Sequence, residues 1–318
     1  MMPDARVHRV VCEATAAAPP GVLYALIADV SRWPLLFPSF VHVEQLDFDG
    51  TRERLRIWAV VGDTVASWVS SRRLDAGRRC VEFRQDVPAE PLESMTGLWT
   101  VEPLGDGSKV TLECAFVVGG DAPDDVARVH RITHAGKRAQ LDRLVWLAER
   151  WARLDRLTLR VEEAVHVKAP AELLLDFLHR AEAWPGELPH VRTLEVSEDT
   201  PGVQVMSIGS LAADGSARRT KSVRICFPGA GLIVYKHTET LPLLAAYTGE
   251  VSIEPDESGV NLVSRHQALL DEEAITPHLG ESAGLAEAAE HMREELSRFG
   301  RLVLDQAVRS ATSAVRVL

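Results

Sequence analysis

The hydrophobic pattern of this chain runs through one order of elements and then repeats it. Residues 6–14 (RVHRVVCEA) are rich in β-branched side chains and end at Ala16-Ala17-Ala18-Pro19-Pro20, which predicts a strand leading into a helix start. Val22, Leu23, Leu26 and Ile27 then fall on one helical face, and Asp29-Val30-Ser31-Arg32-Trp33-Pro34 breaks that helix before a second short turn to Phe40. From Val41 to Phe116 the period shortens. Segments at roughly 41–48, 52–61, 65–74, 79–86, 95–102 and 108–117 are separated by Asp-Gly, Ala-Gly and Gly-Asp-Gly turns, the pattern of an antiparallel meander. Pro123-Asp124-Asp125 opens a long helix to about Leu154, with Val129, Ile132, Leu141, Leu144, Val145, Leu147 and Ala148 as its apolar stripe.

The same plan returns 151 residues later. Ala18-Pro19, Trp33-Pro34 and Pro38 recur as Ala169-Pro170, Trp184-Pro185 and Pro189. A strand at 159–168, a helix from Ala171, strands from about 191 to 269 and a helix from roughly Leu285 to Ala311 complete the copy. Within the strands the offset becomes 152, pairing Ser70 with Ser222, Arg72 with Arg224, Thr96-Gly97 with Thr248-Gly249, Glu102-Pro103 with Glu254-Pro255 and Gly107 with Gly259. A repeat this long is a whole domain rather than a solenoid unit. Two domains, 1–155 and 159–318, are expected, joined by a spacer too short for free tumbling. Each is α+β, a curved antiparallel sheet gripping a long C-terminal helix with a cavity between them, a natural small-molecule site.

Composition narrows the function. The 318 residues are 46% hydrophobic and 25% charged with a net charge of -11, which argues against nucleic-acid binding through a basic footprint. No apolar run approaches a membrane span and the opening residues MMPDARVHRV lack a signal core, so a cytoplasmic protein is expected. Cys12, Cys80, Cys114 and Cys226 show neither CxxC pairing nor metal spacing and read as buried free thiols. His130 and His134 stand four apart on the long helix, without the motif of a zinc site. Arg128, Arg131, Lys137, Arg138 and Arg143 form a basic stretch on an acidic protein, either a solvated face or a docking face for an acidic partner.

Trp33-Pro34 and the strand Trp68-Val69-Ser70-Ser71-Arg72, followed by Gly77, Val81 and Trp99, resemble the aromatase/cyclases of bacterial type II polyketide synthases. That resemblance implies the helix-grip fold shared with START and Bet v 1 proteins, and the doubled form resembles the di-domain subclass that acts on a first ring. It also implies that the arginine closing the W-V-S-x-R strand projects into the cavity. This carries over to Arg72 and, through the internal repeat, to Arg224. The second copy departs from the pattern with Thr220 at the place of Trp68 and Val251 at that of Trp99. The family's tyrosine after the second proline is Phe40 in the first copy and Val191 in the second, so any phenolic donor must come from elsewhere.

The substrate implied is a poly-β-ketone delivered by an acyl carrier protein, alongside other type II polyketide synthase components. Ring closure there needs enolisation, attack on a carbonyl and loss of water, without metal or organic cofactor. Arginine is too basic to abstract a proton but can hold a developing enolate or alkoxide. Strand alternation and the resemblance point Trp68, Ser70, Phe83, Gln85, Met95, Trp99, Cys114 and Phe116 inward in the first copy, with Trp33 and Phe40 at the lip. In the second, Ser222, Tyr235, His237, Tyr247, Val251 and His266 take those places, with His190 where the helical turn meets the sheet. Arg72, Arg224, His237, His266, His190 and Tyr247 are the catalytic candidates. Trp33, Phe40, Trp68, Ser70, Phe83, Met95, Trp99 and Tyr235 are the substrate-binding ones. The first cavity is expected to be aromatic and apolar and to fold the chain, the second to transfer protons; the reverse assignment stays open, because the first copy matches the family motif better. Trp33 and Trp184 also read as core plugs. A non-catalytic carrier of an apolar aromatic or lipid is the alternative function, and a catalytic copy beside a docking copy the third.

Overall fold

A computed structural model of the chain describes residues 6–212 and 215–315; residues 1–5, part of the stretch read above for a signal segment, lie outside it. Internal contacts divide the chain into two compact units that meet between Leu154 and Asp155. The first opens with β1 (His8–Ala16), α1 (Pro20–Ala28) and α2 (Trp33–Leu36). It continues through β2 (Phe40–Phe48), β3 (Arg52–Val61), β4 (Thr64–Asp75), β5 (Cys80–Val87), β6 (Leu92–Leu104) and β7 (Gly107–Val118) to α3 (Pro123–Glu149). Where a spacer was expected at 155–158, the helical turn α4 (Leu154–Leu157) runs directly into β8 (Thr158–Val167).

The second unit then has α5 (Ala171–His179), α6 (Trp184–Glu187), β9 (Val191–Thr200), β10 (Val203–Leu211), β11 (Ala217–Phe227), β12 (Leu232–Glu239), β13 (Leu244–Pro255) and β14 (Val260–Leu270). A short α7 (Ile275–Leu279) precedes the long α8 (Leu285–Val315). Each unit is a seven-stranded antiparallel sheet in which the first strand pairs with the last: β1-β7-β6-β5-β4-β3-β2 and β8-β14-β13-β12-β11-β10-β9. Two tandem α+β helix-grip folds result, with α3 and α8 as the gripped helices.

Local chemistry explains the joints. Pro20 and Pro34 sit in the first turns of α1 and α2, where a missing N–H costs nothing. Between them Asp29 accepts from the Ser31 N–H at 3.2 Å and from its hydroxyl at 2.5 Å, turning the chain toward Trp33. Helix α3 stops at Glu149 rather than at Leu154, and its buried face holds Val129, Leu141, Leu144, Leu147 and Ala148 together with Gln140. Ile132 and Val145 are only half-buried at the margins of that face. Of the four thiols, all free, Cys80 is half-buried rather than buried.

Candidate active site

The register of the two sheets lines up corresponding residues in one transverse row. In the second unit neighbouring strands pair Gln204 with Arg224, Arg224 with Tyr235, Tyr235 with Gly249, and Gly249 with His266. In the first unit the row reads Glu53, Arg72, Phe83, Gly97, Cys114. The copies share an arginine and a glycine at equal places. Around them carboxylate has become amide, phenyl has become phenol and thiol has become imidazole.

The shared glycine is what lets the row work as a unit. A Cβ on Gly249 would lie 2.5 Å from the Tyr235 hydroxyl and 2.7 Å from its Cζ, so the ring passes over the bare backbone of β13 to reach β14. There the Tyr235 hydroxyl lies 2.7 Å from His266 Nδ1 and the Tyr247 hydroxyl 2.8 Å from the same nitrogen; the two hydroxyls are 3.4 Å apart. His266 Nε2 faces the Ser264 hydroxyl at 3.0 Å. With Nε2–H donated to Ser264, Nδ1 offers one lone pair to two phenols. One phenol donates to the imidazole, and the other has its neighbour's hydroxyl at 3.4 Å or a ligand as acceptor.

His237 stacks on Tyr247 with ring centroids 4.3 Å apart, and its Nδ1 has no protein partner. Burial lowers both histidines to about 4, so both are neutral imidazoles at neutral pH. Glu163 opposes that shift at His266, and burial raises both tyrosines, which keeps them protonated. Arg224 is buried under Trp184 at 5.4 Å from the ring centroid; it donates to the Leu178 carbonyl and meets Met206 Sδ at 3.3 Å. Among the described residues no carboxylate pairs with Arg224 directly, although Glu182 and Glu198 act on it from farther away. Its register partner Gln204 instead donates to the His179 carbonyl at 3.1 Å and to Glu198 at 2.8 Å.

These groups wall an interior cavity of about 110 Å³. Arg224, Ser222, Tyr235, His237, Tyr247, Val251 and His266 all line it, with His190, Trp184, Thr220 and, from α8, Leu296, Phe299, Gly300 and Val303. His190 stands apart from the Tyr–His cluster, against Phe299 at 5.3 Å, and neither of its ring nitrogens has a protein partner.

The first unit corrects the expectation of an apolar pocket around Arg72. Glu53 is buried beside it, Nη1 to Oε1 at 3.1 Å, and Gln45 donates to the other carboxylate oxygen at 2.8 Å. Arg72 Nη2 donates to the Ile27 carbonyl at 2.8 Å, and its guanidinium stacks 4.7 Å from the Trp33 ring centroid. Trp33 in turn stacks on Phe40 at 4.6 Å, so both serve as packed core. Met95 and Trp99 are buried, Met95 contacting the Gln85 amide at 3.6 Å. Ser70 is buried with its hydroxyl on the Arg84 carbonyl, whereas Trp68 and Phe83 are only half-buried. A concavity of about 620 Å³ that reaches Arg72 and Glu53 is lined by charged side chains, among them Asp47, Arg52, Arg54 and Glu82.

Sequence reasoning missed Glu53 and Gln204, which carry no motif and become visible only through cross-strand register. Gly300 was missed as well: a Cβ there would stand 2.7 Å from His266 Nε2, so this helical glycine lets α8 close over the imidazole. Of the basic stretch on α3, Arg128 pairs with Asp125 at 3.1 Å, Arg138 with Asp142 at 2.8 Å, and Arg143 donates to the Leu36 carbonyl at 2.9 Å. His130 and His134 are exposed and stack on each other; no metal-ligand grouping occurs among the described residues. No helix among them is long and apolar enough to cross a membrane.

A family model described as polyketide cyclase / dehydrase and lipid transport matches residues 16–131. The granaticin polyketide synthase bifunctional cyclase/dehydratase of Streptomyces violaceoruber is 36% identical over 315 residues, covering 98% of this chain and 97% of that one. The actinorhodin counterpart of Streptomyces coelicolor is 34% identical over 317 residues, covering 96% and 98%. Among solved structures, the di-domain ARO/CYC BexL from the BE-7585A biosynthetic pathway matches with TM-score 0.84 and 34% identity over 96% of this chain and 98% of that one. The di-domain ARO/CYC StfQ from the steffimycin pathway matches with TM-score 0.81 and 30% identity, over 96% and 99%. With both units and nearly the full length accounted for, the chain belongs to the di-domain ARO/CYC family of polyketide synthase bifunctional cyclase/dehydratases.

Proposed function

We propose that this cyclase/dehydratase carries out first-ring aldol closure and dehydration of a carrier-bound poly-β-ketone in the cavity of the second unit. The observation that carries this reading is the convergence of two neutral phenols on one neutral imidazole, in the same row as an arginine with no carboxylate opposite it. Arg224 holds the enolate oxygen and then the alkoxide, a preorganised charge in a site from which water is largely excluded. It must act strongly, because an imidazole held at about 4 is a weak base for a methylene between two carbonyls.

In the sequence of steps proposed, His266 Nδ1 takes the methylene proton as the enolate forms against Arg224. The enolate carbon attacks a second carbonyl, and the phenol not bound to His266 gives its proton to the new alkoxide. The imidazolium then returns its proton through the phenol pair to the phenolate, and the regenerated imidazole takes a second α-proton. The hydroxyl leaves as water on a proton from the phenol, which the imidazolium restores. Substrate loses one water and the residues regain their starting protonation. His237, neutral and stacked on Tyr247, supports that phenol and offers its free nitrogen to the chain.

The first unit supplies the paired half. An Arg72 guanidinium neutralised by Glu53 has little charge left for an oxyanion, which favours a structural or chain-guiding role there. A lipid carrier has no use for this proton-transfer cluster, so the cavity chemistry favours the enzyme over the carrier reading. The test supplies the protein to a minimal polyketide synthase, with and without a ketoreductase, and identifies products by mass for Arg224→Leu and Arg72→Leu. Loss of aromatised product with Arg224→Leu and its retention with Arg72→Leu is expected; the opposite ranking would move the chemistry to the first unit.

A further inference from the structure

The second-unit cavity carries a polar cluster at the end opposite the Arg224 row. Inward positions of β11 run from Arg224 through Ser222 and Thr220 to Arg218, six residues along one strand, or about 20 Å. Register places Ser210 against Arg218, and the Leu211 N–H donates to the His190 carbonyl, which brings His190 to this same end. Helix α8 adds Glu295 and Arg298 to the wall. The side chains of Arg218 and Arg298 are 20% and 36% exposed while Arg224 is sealed, so this end is the mouth.

Among the described residues the charges at the mouth do not cancel. Glu295 Oε2 takes both guanidinia, Arg218 Nη1 at 3.3 Å and Arg298 Nη2 at 3.1 Å, one carboxylate between two cations. A purely structural clamp of α8 onto β11 would be complete with that bridge. It leaves the buried Arg298 Nε without an acceptor and both nitrogens of the 8%-exposed His190 without partners. Buried polar groups of this kind are ordinarily satisfied, and two N–H donors at one cavity mouth, Arg298 Nε and the single N–H of neutral His190, call for an acceptor from outside the chain.

We propose that the mouth formed by His190, Arg218 and Arg298 is a binding site for an oxygen-rich anion on the substrate, either the phosphodiester of a prosthetic arm that tethers it or the carboxylate of a released chain. The proposal deepens the reading that the second cavity holds the substrate. Arg224 and the mouth then grip the two ends of an extended chain, and the Tyr–His cluster meets carbons at a set distance from the anionic end.

Calorimetric titration of the full chain with matched probes tests this without turnover. The pairs are phosphopantetheine against pantetheine and naphthoate against naphthamide. At least one anionic probe is expected to bind about tenfold more tightly than its neutral partner or better. The preferred anion identifies the source, a tethering arm for phosphate or a free acid for carboxylate. The Arg218→Gln/Arg298→Gln double variant should abolish that preference, and Arg298→Lys should keep most of it. Equal binding within both pairs, no binding of any probe, or a preference that survives in the double variant overturns the proposal. Because Tyr235 and His266 are untouched and no product is measured, its failure is separable from failure of the proposed reaction.

Discussion

Glu53 and Arg72 form an ion pair at 3.1 Å inside the first unit, each only 4% exposed, whereas the corresponding partner of Arg224 in the second unit is the amide of Gln204. The hydrogen-bonded pair behind them is also inverted. Gln45 donates to Glu53 in the first unit, and Gln204 donates to Glu198 in the second. This exchange of amide and carboxylate gives Arg72 an ion-pair partner and leaves an amide opposite Arg224, which under the proposed function frees Arg224 for a ligand. Burying a charge pair is costly, and breaking one is costlier still.

Installing the first unit's arrangement in the second should silence it. The Glu198→Gln/Gln204→Glu variant keeps the hydrogen bond between the two side chains and sets a carboxylate against Arg224. A fall in kcat/KM of about tenfold or more is expected, the loss of at least ~1.4 kcal/mol of transition-state binding. Arg72→Leu should instead cost stability, on the order of 3–5 kcal/mol from the unpaired Glu53. Thermal unfolding and steady-state kinetics on the two variants separate these outcomes.

The two phenols share one acceptor, so they should partly substitute for each other. Tyr235→Phe and Tyr247→Phe are each expected to lower kcat by about tenfold, and the double variant by about 10²–10⁴-fold, the range of a lost general acid. Product analysis should show cyclised but undehydrated material accumulating in the double variant.

Gly300→Ala would place a methyl 2.7 Å from His266 Nε2, where something must shift. Activity should fall by about tenfold even though alanine is the better helix former. At Gly136, in α3, a Cβ meets open space, so Gly136→Ala should raise stability by up to about 1 kcal/mol and leave kcat unchanged. Chemical denaturation and kinetics on this pair separate propensity from fit.

The plan of the fold was legible because it is written in period and punctuation: proline-started turns, strand alternation and one long amphipathic helix, given twice. The inward set Tyr235, His237, Tyr247 and His266 was legible through strand parity, since no register slip intervened at those positions. The neutral partner of Arg224 was not legible. Glu53 and Gln204 lie on a neighbouring strand and matter only through the residue across from them. Gly249 and Gly300 act by what they lack, and a missing Cβ has a function only once its neighbour is known. Arg218, Glu295 and Arg298 are separated by nearly eighty residues, and each reads as an ordinary surface charge until β11 and α8 meet.

Acid should destabilise the protein through its buried histidines. His237 and His266 are held at about 4, below the ordinary value of 6.5, so the unfolded chain takes up protons before the folded one does. Their stabilising contribution is complete above pH 6.5 and is lost as pH falls from 6.5 toward 4, amounting to a few kcal/mol for each histidine. Urea midpoints measured across this window should drop with pH, and His237→Asn should flatten the slope.

Under the proposed function the second cavity performs the proton transfers, with His266 as their hub. The most direct measurement is kcat for aromatised product by His266→Asn, with folding verified by circular dichroism. A fall of about 100-fold or more is expected, the loss of a general base. A folded variant that retains kcat within about threefold of the parent would contradict that function and return the chemistry to the first unit.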